Sequence, residues 1–127
     1  MKIVKLYFGF LILISVNAYA NSNLDNCLAM ARQMNTQLPK KIDFATTLEA
    51  TSCLEDKGKV YFQYVHIIND PSSLPKDIQQ KAKSLAKSQY CANPEFVRAL
   101  NYYTFDFYYI DSKRKPLYAI TLAKSDC

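Results

Sequence analysis

The sequence predicts a small α+β domain: an antiparallel sheet of about four strands, helices packed on one face, and disulfides tying the layers together. Three observations carry this. Apolar residues recur with a period near 3.6 in two stretches and with a period of 2 in others. The stretches run in the order α-β-β-α-β-β, with a short extra helical turn after the second helix. Two hairpins separated by a helix describe an antiparallel sheet with its helices on one side. Finally, Cys27, Cys53, Cys91 and Cys127 all follow an export leader, and an even cysteine count in a small exported domain reads as two disulfides.

The leader is MKIVKLYFGFLILISVNAYA. Lys2 and Lys5 form a positive n-region, residues 6–16 an apolar run, and Ala-Tyr-Ala a small-x-small cleavage signal, so cleavage is expected after Ala20. The run is shorter than the roughly 20 apolar residues that span a bilayer, so no stable membrane anchor is expected after cleavage. Cys27 lies in NLDNC, whose flanks do not suit lipid attachment. Residues 1–20 are thus read as a cleaved signal peptide and 21–127 as a single exported domain. The leader's style suits a bacterium, which would place the domain in the periplasm or outside the cell; a secreted eukaryotic protein is the alternative. Losing Lys2 and Lys5 lowers the formal charge from +5 to +3, too mild an excess for a nucleic-acid partner.

Each element has a local reason. In NLDNCLAMARQMNTQLPK, Leu24, Cys27, Leu28, Ala31 and Met34 make one helical stripe. Ser22 or Asn23 caps it, and Pro39 closes it. The next segment alternates, with Ile42, Phe44, Thr46, Leu48 and Ala50 on one face. Gly58, the only glycine beyond the leader, marks a tight turn. Then Val60, Phe62, Tyr64, His66 and Ile68 share the face of a central strand. Pro75 opens a second helix at its first position, with Ile78, Ala82, Leu85 and Ala86 buried. Asn93 and Pro94 start a helical turn that buries Phe96, Val97 and Leu100. YYTFDFYYI, the turn DSKRKP and LYAITLAKS form the last hairpin. Four cysteines allow three pairings. Cys91–Cys127 would tie the helix junction to the C-terminus, and Cys27–Cys53 the first helix to the first strand, so this pairing is preferred. Cys53 has the solvent parity of its strand, which requires the strand to stop early or a bulge to turn it inward.

No catalytic, metal or cofactor site emerges. His66 is the only histidine, sits mid-strand among aromatics, and has no nucleophile elbow to serve. Asp43 and Glu49 lie about 20 Å apart on an extended strand, too far for a dyad, and Asp106 with Asp111 has no evident mate. There is no C-x-x-C, no His-Glu-x-x-His and no glycine-rich loop. The lysines of the second helix read as a solvated face.

The aromatics are more informative. Period 2 puts Tyr103, Phe105, Phe107 and Tyr109 toward the helices. It leaves Tyr61, Gln63, Tyr102, Thr104, Asp106 and Tyr108 on the opposite face, a candidate surface for a protein partner. The expectation is a non-enzymatic interaction domain of inhibitor, immunity or secretion/pilus-accessory type. The alternative is a small apolar-ligand carrier, with Tyr103, Phe107, Tyr109 and His66 lining a pocket between sheet and helices.

Overall fold

The computed structural model describes residues 22–127; the expected signal peptide and its cleavage point lie outside them. The elements are α1 (Asn23–Asn35), β1 (Lys40–Lys41), β2 (Thr46–Asp56), β3 (Lys59–Ile68), α2 (Ile78–Tyr90), α3 (Pro94–Ala99), β4 (Tyr103–Asp111) and β5 (Pro116–Leu122). They form one five-stranded sheet in the order β1-β2-β3-β4-β5. α1 packs on β2 and β3, and α2 packs on β5.

The expected four-stranded antiparallel sheet needs two corrections. A fifth, two-residue strand precedes the first expected one, and β3 pairs with β4 in parallel. The reason for the second is the connection. Residues 69–102 carry α2 and α3 over one face and return the chain to the end where β3 began, which makes neighbours parallel. The pairs β1–β2, β2–β3 and β4–β5 are antiparallel.

β2 also departs from simple alternation. Residues 42–45 form a bend in which the Asp43 carboxylate accepts the Ala45 N–H at 2.8 Å, an Asx-type turn. Phe44, expected inside, is therefore 81% exposed. The β2–β3 register slips between Leu48 and Ala50, so Glu49 is an inserted residue. Beyond it the faces exchange: Thr51 is buried, and Cys53 turns inward to bond Cys27 on α1. The second disulfide joins Cys91, at the end of α2, to Cys127. The side-chain amide of Asn35, the last residue of α1, pairs with the edge of β2. Its Oδ1 accepts the Thr51 N–H at 2.8 Å and its Nδ2 donates to the Thr51 carbonyl at 2.9 Å.

The hairpin between β2 and β3 turns on Lys57 and Gly58, both at positive φ (52° and 79°), the geometry that suits a two-residue turn between twisted strands. Ser22 Oγ caps α1 through the Asp25 N–H, and Asn93 caps α3 through the N–H groups of Glu95 and Phe96. α2 starts at Ile78 rather than at Pro75, and Tyr90 joins Ile78, Ala82 and Ala86 in its buried stripe while Leu85 is only half-buried. Val97, expected inside, is exposed. Between sheet and helices lies a layer of stacked rings. Tyr64–Phe107 centroids are 5.1 Å apart, Tyr90–Phe107 5.3 Å and Phe96–Phe105 4.7 Å.

Candidate functional site

The helices cover one face of the sheet; among the described residues the other face carries no second layer. Along β3 burial alternates strictly, with Val60, Phe62, Tyr64, His66 and Ile68 inside, and Tyr61, Gln63, Val65 and Ile67 on the open side. The β4 residues in register with the latter are Thr104, Asp106, Tyr108 and Ile110.

One lateral row of this face is polar across four strands. Ser52 is opposite Gln63, Gln63 is beside Asp106, and Asp106 is opposite Thr121. Their side chains are joined in the same sequence. Ser52 Oγ donates to Gln63 Oε1 at 3.1 Å, Gln63 Nε2 donates to Asp106 Oδ2 at 3.5 Å, and Thr121 Oγ1 donates to Asp106 Oδ1 at 2.7 Å. Tyr108 OH donates to Asp106 Oδ2 at 3.4 Å and accepts from Gln63 Nε2 at 3.3 Å. The contacts to Oδ2 sit at the long limit of hydrogen bonding, while the one to Oδ1 is short and strong. Asp106 is 8% exposed and takes no part in the ion pairs of the described residues, which join Lys81–Asp77, Lys83–Asp126 and Arg114–Glu49. The Tyr108 phenol is pushed up, first by partial burial and then by the negative charge of Asp106.

Aromatic and apolar rows flank the polar one. On one side Leu54, Tyr61 and Thr104 lie in register; on the other, Ala50, Val65, Tyr108 and Ala119. Leu54 is 50% exposed and Tyr108 37%. Five of the six residues expected on the surface therefore meet there: Tyr61, Gln63, Thr104, Asp106 and Tyr108. Tyr102 does not. It precedes β4 in a turn, where its N–H donates to the Ala99 carbonyl at 2.9 Å, and its ring lies beside Tyr103. Sequence reading missed Ser52 and Thr121. Thr121 was accessible by parity, since Tyr118, Ile120 and Leu122 of β5 point inward. Ser52 was hidden by the bulge at Glu49.

The residues weighed for catalysis are dispersed. His66 is buried, its Nδ1–H donating to the Tyr108 carbonyl at 3.3 Å and its ring stacked on Tyr109 at 4.5 Å. Glu49 is held by a bidentate pair with Arg114, at 3.0 and 2.9 Å. Asp43 makes its own turn. Among the described residues no three His, Cys, Asp or Glu side chains converge as metal ligands. The residues expected to line a ligand pocket, Tyr103, Phe107, Tyr109 and His66, are at most 4% exposed and packed against other rings. A surface cleft of about 490 Å³ lies elsewhere, beside the Cys91–Cys127 disulfide between Val97, Arg98 and Lys124.

No protein-family model and no curated protein sequence matches this chain. Solved structures share its fold. The pilotin EpsS of the Vibrio vulnificus type II secretion system superposes with a TM-score of 0.64 at 15% identity, covering 83% of this chain and 91% of EpsS. The type II secretion pilotin AspS of Vibrio cholerae gives 0.58 at 15% identity, over 83% of this chain and 92% of AspS. A Pseudomonas aeruginosa protein described as a candidate secreted protein gives 0.62 at 10% identity, over 86% of this chain and 99% of its own. At these identities the likeness is one of fold: the chain has the architecture seen in two type II secretion pilotins and a candidate secreted protein.

Proposed function

We propose that this chain is an exported, non-enzymatic accessory protein of a type II secretion machine, of the pilotin kind, that holds a protein partner on its open sheet face. The observation that carries the reading is the fold shared with two pilotins over most of all three chains. Two disulfides support an oxidising compartment outside the cytoplasm. No described helix is long and apolar enough to cross a membrane. The open face supports a protein partner because Tyr61 and Tyr108 offer broad, rather rigid contact area beside a polar row that can set orientation. Leu54, Val65 and Ile67 add apolar surface around it.

The test is genetic and chemical. Deleting the gene in its own organism should reduce release of type II secretion substrates, and Tyr61→Ala with Tyr108→Ala should reproduce the loss. A photo-crosslinking amino acid at position 61 or 108 should trap a component of the machine, while one at exposed Lys81 on α2 should not. Undiminished secretion in the deletion strain, with no adduct from either sheet position, would refute the assignment.

A further inference from the structure

Among the described residues the open face holds a largely buried carboxyl group, Asp106, that no ion pair reaches. Asp106 is nine-tenths buried in the middle of the sheet, yet Arg114, at the turn after β4, is committed to Glu49. A carboxylate screened from water is electrostatically costly unless a cation or strong donors meet it. Asp106 is half provided for. Among the described residues Oδ1 has the 2.7 Å bond from Thr121, whereas Oδ2 has only the 3.4 and 3.5 Å contacts from Tyr108 and Gln63. Gln63 Oε1, in the same row, accepts only the Ser52 hydroxyl among the described side chains.

From this geometry we infer that the face is a seat for an arginine side chain of the protein partner. The inference rests on the open-face reading above and specifies its chemistry. A guanidinium is planar and carries five N–H donors. One edge can donate to Asp106 Oδ2 and Gln63 Oε1, replacing long contacts with short charge-assisted bonds. Its plane can lie against the ring of Tyr108 or Tyr61, which flank the row on either side. A lysine ammonium matches the charge but neither the planar stacking nor the forked donation, so arginine is the better fit. Binding leaves the sheet unchanged, because Gln63, Asp106 and Tyr108 are already aligned by the β3–β4 register.

The experiment uses isotope-labelled protein purified from cells expressing the full chain, titrated with N-acetyl-arginine amide and, in parallel, with its uncharged citrulline analogue. Saturable amide shifts confined to Gln63, Asp106, Tyr108 and Thr121 are expected with arginine, and at least about tenfold weaker binding with citrulline. Asp106→Asn, nearly isosteric, should weaken arginine binding by a similar factor while its remaining spectrum stays folded. Equal binding of citrulline, equal binding by Asp106→Asn, or no saturable shift at these residues overturns the inference. The citrulline comparison on the unaltered protein stands even if the variant fails to fold. If arginine fails here while crosslinks at positions 61 and 108 still reach the secretion machine, only the arginine seat falls; if the crosslinks fail too, the open-face reading falls with it.

Discussion

His66 stacks between aromatic rings with its Nδ1–H directed at the Tyr108 carbonyl. Burial pushes its pKa down to about 4, against smaller upward pulls from that carbonyl and from Asp43. The unfolded chain takes up the same proton near pH 6.5. Between those values the unfolded state binds more protons, so stability should fall as pH drops from about 6.5 to about 4 and show no further loss from this group below that. The decline from His66 should amount to at most roughly 3 kcal/mol. Urea midpoints at pH 7 and pH 4.5 test it: His66→Phe, which keeps a ring in the stack, should lose less between the two pH values than the parent. Asp106 is the contrasting residue. It lies in the middle row of the sheet but on the side without helices, so its substitution should leave the ring-packed core in place. Alternation identified both residues' faces; it did not identify their partners, because these sit on strands brought together from distant parts of the chain.

Elements are tied to one another by a few side chains whose loss should be measurable. Asn35 closes α1 against β2 by acting as a substitute peptide for Thr51. Asn35→Ala leaves a part-buried N–H and C=O without these partners. It should destabilise the fold by about 1–3 kcal/mol, read as a lower denaturant midpoint with an unchanged slope. The alternation of β3 and β4 was legible because it is set by local periodicity. The helix stripes were legible in part: Cys27, Ala31, Met34, Ile78, Ala82 and Ala86 are buried, whereas Leu28 and Leu85 are half-buried and Val97 is exposed. β2 was not, for two physical reasons. The Asp43 turn is stabilised by a local hydrogen bond that alternation ignores, so Phe44 falls in the inward rhythm yet points to solvent. The inserted Glu49 then reverses the faces, a change invisible to any pattern that counts by twos.

Two disulfides clamp the molecule at opposite ends of the chain's path. They close loops with sequence separations of 26 and 36 residues, each worth roughly 3–4 kcal/mol by restriction of the unfolded chain. Cys27→Ala with Cys53→Ala should therefore lower stability by about 2–5 kcal/mol, and a thermal melt under reducing conditions should show a still larger loss. Composition, cysteine count and periodicity by themselves determined that this is a small two-layer α+β domain with two bridges, and which rings of β3 and β4 line its core. Those properties follow from local spacing and from the need to bury apolar side chains. Only the tertiary structure decided that β3 and β4 run in parallel, that Tyr102 leaves the surface row, and that Ser52, Gln63, Asp106 and Thr121 form one line across four strands. Strand order and register are set by the path of the 69–102 crossover and by a single bulge. These bring together residues far apart in sequence, and no local pattern records them.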